Sequence, residues 1–409
     1  MSDKKLIKEI TVLTATQAAG QILNLVALVF LARFLGESDF GMIQVCVAIM
    51  SYALIVSEGG LFAVGSRAVA RLSNLSDISE HVRNQLGLMA ILGIAVFALS
   101  ILPVQFFSPD HINKTVLLIY MAVTLPQAAM LDWLGIAMGK SLTVGISRLV
   151  KACVYLLLIL LVLPRNSNLN LVPVFLIVSM IAANIVMRVQ SWRWLGWWPK
   201  PIGANISASK QLLVQTAPIG AANIVQRVLF NFDLIIIGFI ATTSDAGVYA
   251  AAAKLLFVLI VAVETALSAV LPRLSQLWQD DKPAFNMAVR RYLKILLLCL
   301  MPLPIIGFLF AGPVIQLIYS GQYISSIPIF RILSVAYPLL SLVLFLGTVL
   351  VASDRQKSWF IVTVTGALVA IIALVLLIPA LGVIGAAWAM LISYVVSLMV
   401  AGYLISKAT

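Results

Sequence analysis

Residues 31 to 49 read LARFLGESDFGMIQVCVAI, and residues 237 to 255 read IGFIATTSDAGVYAAAAKL. In both, an apolar run stops at a short polar turn and resumes as a second apolar run. Laid on each other at a spacing of 206 residues, Ser38, Asp39 and Gly41 fall on Ser244, Asp245 and Gly247, and Glu58 and Arg67 fall on Glu264 and Arg273. A match of this kind at a fixed spacing is the mark of an internal repeat. A polar turn between two apolar runs predicts a helical hairpin, so the chain is read as two equal halves that each open with one.

Working outward from the two hairpins, apolar runs follow one another to both ends of the chain. Of its 409 residues, 62% are hydrophobic and only 10% charged, against about 25% charged in a soluble domain. Crossing about 30 Å of hydrocarbon as a helix takes about 20 apolar residues. Spans of that length are expected at 10–33, 40–63, 86–107, 115–137, 143–163, 171–190, 211–240, 246–271, 290–311, 328–351, 358–378 and 382–405. The fold class is therefore an all-α membrane protein of about 12 transmembrane helices in two six-helix lobes. The repeat is offset by an even number of spans, which makes the halves parallel repeats about an axis along the membrane normal. The expected organisation is an N-terminal lobe over 1–190, a basic Trp-rich interfacial linker over 191–210 containing SWRWLGWWPKP, and a C-terminal lobe over 211–409.

The net charge is +12. With the N-terminus placed in the cytoplasm, all basic residues fall on that side except Arg33, Lys114 and Arg165 and the intraspan Arg227, Lys254 and Arg331. That is a positive-inside topology with both termini cytoplasmic, rather than a patch for nucleic acid. Arg148 and Lys151, near the start of the fifth span, are counted on the cytoplasmic side. Cys46, Cys153 and Cys299 stand singly in apolar runs, and His81 and His111 fall in loops on opposite sides, so neither a disulfide nor a metal site is expected. The basic start MSDKKLIKEI runs into an apolar stretch with no small-residue cleavage site, so it is read as leading into an uncleaved first span. Connections are too short to carry a catalytic domain, so no catalytic residue and no cofactor is expected, and the protein is read as not an enzyme.

Two stretches of the first half, LARFLGESDFGMIQVCVAI and EGGLFAVGSRAVARL, and two of the second, FNFDLIIIGFIATTSDAGVYAAAAKLLFVL and AVLPRLSQL, carry a family resemblance. They show a long apolar helix, a tight turn, an aromatic-Gly restart and a basic helix exit. The chain resembles the Wzx-type oligosaccharide flippases of the multidrug, oligosaccharidyl-lipid and polysaccharide exporter superfamily. The resemblance implies a V-shaped alternating-access bundle in the bacterial inner membrane. It implies ion-coupled flipping of an undecaprenyl diphosphate-linked oligosaccharide repeat unit to the periplasmic leaflet, for O-antigen, lipopolysaccharide or other polysaccharide biosynthesis. Its implied partners are the lipid-linked oligosaccharide, membrane lipids, and a polysaccharide polymerase and chain-length regulator. Two alternatives stand beside it: a multidrug exporter of the same superfamily, and a membrane-embedded glycan transferase or polymerase.

Gln17, Gln21 and Asn24 share one face of the first span, and Asn223, Arg227 and Asn231 share one face of the seventh, with Gln17 falling on Asn223 and Gln21 on Arg227 in the repeat. One reading puts both stripes on a substrate cavity, amides bonding sugar hydroxyls and Arg227 meeting the diphosphate. The other makes them glue between helices. Lys254 and Asp233 stand at similar depths on adjacent spans, and so either line the cavity or form a pair that acts as lock or gate. Glu58 and Glu264, at matching repeat positions, are candidates for ion coupling or for a structural link to the basic helix exits Arg67 and Arg273. Asp132 is placed at the interface. Arg33 and Arg331 are read as snorkelling, and Pro126, Pro218, Pro302, Pro304 and Pro338 as bends.

Overall fold

The computed structural model describes residues 3–200, 212–214, 216 and 232–407. Among these residues the regular structure is helical, with no strand. Ten helical stretches among the described residues are long and apolar enough to cross a membrane; the first, Ala15–Arg71, takes in most of the first predicted span and all of the second. Most of the seventh predicted span lies outside the described residues. The chain divides into two compact units, Met1–Phe34 with Cys46–Arg227, and Leu35–Val45 with Val228–Thr409.

In the first unit, α1 is a helical run over Asp3–Glu58 broken at Gly36, whose φ of 74° lies in the left-handed region that glycine enters at little cost. A Gly59-Gly60 turn leads into α2 (Leu61–Arg71), and α3 (Leu75–Phe107) follows. The fourth predicted span is not one helix but three short ones, α4 (Lys114–Met121), α5 (Thr124–Ala128) and α6 (Asp132–Ala137). Pro126 cannot donate to a helix ladder, and the backbone groups released around it are taken up by side chains, as hydrocarbon requires. Asn184 Nδ2 donates to the Pro126 carbonyl at 2.8 Å, Thr124 Oγ1 to the Met121 carbonyl at 2.9 Å, and Arg188 Nη2 to the Ala129 carbonyl at 3.4 Å. Asn184 and Arg188 come from α8 (Leu171–Leu195), which packs against α7 (Ser141–Val162). The core of this unit gathers Leu61, Leu86, Leu131, Trp133, Leu134, Val144 and Met187. His81 lies in α3 with its ring edge-on to buried Trp133, and not in a loop. The helix α8 runs five residues into the predicted linker and ends at Gly196 in the left-handed conformation.

The second unit contains α9 (Thr243–Asp280), α10 (Lys282–Leu300), α11 (Pro302–Tyr319), α12 (Ser326–Ala352), α13 (Gln356–Leu381) and α14 (Val383–Ser406). A capping box starts α9: Thr242 Oγ1 accepts from the Asp245 amide, and the Asp245 carboxylate accepts from the Thr242 amide, both at 3.1 Å. In the second half the Ser-Asp-x-Gly turn is thus a helix-start device, whereas in the first half Gly36 stands in the place of Thr242. α12 packs against α9, α11 and α14. Buried hydroxyls stitch these helices, Ser326 donating to the Val248 carbonyl at 2.7 Å and Tyr319 to the Ala251 carbonyl at 3.0 Å.

Leu35–Val45 belongs to this second unit although it comes from the first half of the sequence. Backbones touch there: a Cβ on Gly41 would lie 1.8 Å from the Thr243 carbonyl oxygen, and one on Gly247 would lie 1.9 Å from the Glu37 carbonyl oxygen. Around this crossing the Ser38 and Thr243 hydroxyls are 2.9 Å apart, Ser244 Oγ donates to Glu37 at 3.1 Å, and Phe40 packs edge-on to Tyr323.

Candidate substrate cavity

Helix α7 places Gly145, Arg148 and Ala152 on one face, with Lys151 one turn beyond Arg148. Gly145 lets α1 come close, since a Cβ there would lie 2.3 Å from Thr16 Oγ1. Beyond this contact a cavity of about 290 Å³ opens, lined by Thr16, Gln17, Gly20, Gln21 and Asn24 of α1, Gln127, Met130 and Asp132 of the broken fourth span, and Arg148, Lys151 and Ala152 of α7. The three α1 amides named from the sequence are therefore on one wall, Gln17 and Gln21 half-buried and Asn24 exposed.

The break in the fourth span sets the charge on the opposite wall. It ends at Leu131, and Asp132 opens α6 at 5% exposure. Arg148 Nε donates to Asp132 Oδ2 at 2.9 Å, a hydrogen-bonded ion pair. The other carboxylate oxygen, Oδ1, is buried with no hydrogen-bond partner. Lys151 has both Asp132 and Arg148 as charged neighbours. Two bases against one acid leave the cavity with one positive charge in excess, and the amides supply donors and acceptors around it.

Asp132 is thus a buried partner of Arg148, at the point where the span breaks. Arg148 and Lys151, counted from the sequence toward topology, line the cavity instead. The signal that could have found them is the one used for α1: polar residues on one face of an apolar helix, behind a glycine.

A second polar cluster lies inside the second unit. Asp233, in a helical stretch over 232–240, is 8% exposed; Tyr249 donates to its Oδ2 at 2.6 Å and the Leu234 amide to its Oδ1 at 2.8 Å. Lys254 lies within electrostatic reach of Asp233, with its ammonium 5.7 Å from the Phe257 ring centre. Tyr337 and Tyr394 also lie in the field of Asp233. The structure brings Asp233 and Lys254 together, with Tyr249 as the direct partner that the sequence reading lacked. Glu58 is half-buried at the end of α1, before the Gly59-Gly60 break, whereas Glu264 is exposed within the unbroken α9, so the repeat diverges at these positions. The Arg331 guanidinium sits 5.1 Å from the Phe308 ring centre. Asn223, Arg227 and Asn231 lie outside the described residues.

Helices long enough to span a bilayer make this a multi-pass membrane protein, with a polar cavity beside its broken span. The chain belongs to the polysaccharide biosynthesis protein family: the model of that family matches residues 6–278, and the model for the lipid II flippase MurJ matches residues 156–409. No curated protein matches the sequence. Among solved structures, the lipid II flippase MurJ in an inward closed conformation superposes with a TM-score of 0.79 at 14% identity, covering 96% of this chain and 87% of that one. An inward-facing multidrug resistance MATE transporter of the MOP superfamily gives 0.75 at 14% identity, covering 95% of each chain. A MOP superfamily transporter from Pyrococcus furiosus, described as having a binding pocket of reverse polarity, gives 0.62 at 12% identity, covering 99% of this chain and 96% of that one. At these identities the likeness is one of fold.

Proposed function

We propose that the protein flips a polyprenyl diphosphate-linked oligosaccharide from the cytoplasmic to the periplasmic leaflet of a bacterial inner membrane, with both termini cytoplasmic and with ion coupling. The observation that carries this reading is the cavity of the first unit, where Arg148 and Lys151 outweigh Asp132 among the amides of Gln17, Gln21, Asn24 and Gln127. A diphosphate needs cations, best supplied by a guanidinium that can meet two oxygens at once. Sugar hydroxyls need groups that both donate and accept, which amides do. A volume of about 290 Å³ is at the low end for ligand pockets. It suits a headgroup whose prenyl chain stays in lipid. A product delivered to the outer leaflet would be passed on to a polymerase and chain-length regulator.

The test is translocation of a polyprenyl diphosphate oligosaccharide in proteoliposomes, scored by access of an externally added glycan-modifying enzyme. Wild type is expected to translocate it, and Arg148→Ala and Lys151→Ala each to slow translocation about tenfold or more, as expected when a partner of a charged group is removed. A wild type that exports a lipophilic cation and ignores the glycolipid, and loses that export in Asp132→Asn, would replace this reading with multidrug export.

A further inference from the structure

The charges of the cavity are arranged as an occupied site, not an open one. Arg148, the group best able to bind a phosphate, is held by Asp132 at 2.9 Å, while Lys151 stands one turn away. Asp132 is nearly buried, yet one of its two oxygens has no partner, and a buried acceptor left unmade destabilises the arrangement that contains it. The pair is therefore incomplete on the acid's side. On the other side, the Arg148 side chain is 32% exposed and faces the cavity, so it can turn to a ligand without leaving water.

We propose that Asp132 is a positioning and release residue: it holds Arg148 when the cavity is empty, competes with the diphosphate for it, and takes it back as the lipid leaves. This rests on the reading of the cavity as a diphosphate site. No bond is made or broken; one anion replaces another on the same guanidinium. A carrier needs such a device, because a binding site that holds its cargo too well cannot turn over, and an internal carboxylate weakens binding without removing the cation. The other charges on helices packed around α6 leave this role to Asp132. Arg67 and Arg71 of α2 are exposed, as is Arg193 of α8, and Arg188 is bonded to the Pro199 and Ala129 carbonyls. None of these four lines the cavity.

The experiment measures binding of a short-chain polyprenyl diphosphate sugar to the full-length protein in detergent, and its flipping in proteoliposomes. The proteins are wild type, Asp132→Asn, Asp132→Ala, Arg148→Ala and the double variant Asp132→Asn/Arg148→Ala, each checked for a cooperative thermal transition. The expected result is that both Asp132 variants bind about tenfold tighter than wild type and flip more slowly. The gain in affinity should vanish when Arg148 is already alanine, the coupling that a double-mutant cycle isolates. A merely structural carboxylate gives the opposite sign, looser binding with slower flipping. Equal or weaker binding in both Asp132 variants, or a gain that survives the loss of Arg148, overturns the release role while leaving the diphosphate site standing. Absence of any binding to wild type overturns the proposed function and this role together.

Discussion

At the scale of single residues, the two polar clusters differ in how completely they are satisfied. Asp233 has a partner on each oxygen, Tyr249 at 2.6 Å and the Leu234 amide at 2.8 Å, whereas Asp132 has one oxygen unmatched. A fully satisfied buried network rigidifies its surroundings, so Tyr249→Phe is expected to lower stability in detergent by about 2 kcal/mol, the range for a hydrogen bond to a charged group. A thermal-unfolding series with and without the substitution checks this. The polar face of α1 was legible because amides at helical spacing stand out in a span of Ala, Leu and Val. Arg148 and Lys151 were hidden for a physical reason: a cation within three turns of a helix start contributes to topology in the same way whether its side chain reaches the headgroups or a cavity. Only the position of Asp132 decides between them, and that comes from another part of the chain.

At the scale of elements, the fourth span shows what an apolar run conceals. Its length and hydropathy predicted one helix; three short helices occupy the stretch, where Asn184, Thr124 and Arg188 donate to the Pro126, Met121 and Ala129 carbonyls. Pro126 was visible, but the partners that turn a bend into a break come from helices that the sequence does not place beside it. The contact of α1 with α7 sets the opposite wall of the cavity. Gly145→Ala would put a methyl group 2.3 Å from Thr16 Oγ1, and such overpacking typically costs about 1–3 kcal/mol. The expected outcome is lower thermal stability and slower transport, both largely restored by adding Thr16→Gly, since the three nearest atoms to the new methyl all belong to that side chain. Failure of the second change to restore them would show that Gly145 is needed for something other than this approach.

At the scale of the molecule, apolar runs were enough to find an all-helical membrane fold, because hydrocarbon leaves a chain few other choices. The exchange of Leu35–Val45 into the second unit was not legible, since the segment continues the first helical hairpin without a change in composition. Its attachment through Ser38 and Thr243, 2.9 Å apart, makes a further prediction. Cysteines at both positions are expected to form a disulfide on mild oxidation, seen as a mobility shift that reductant reverses. The oxidised protein should still transport at a rate close to the reduced one, because both residues belong to the same unit; arrest on oxidation would mean that the segment leaves that unit during the cycle.

The crossing of Gly41 and Gly247 is self-complementary. Each glycine occupies the same place in its own repeat, and each faces the turn that holds the other: Glu37 lies at Gly247, and Thr243, the repeat counterpart of Glu37, lies at Gly41. A contact in which one patch meets its own copy is what a two-fold homodimer makes. The turn keeps within a single chain the self-complementary contact that two separate copies would make.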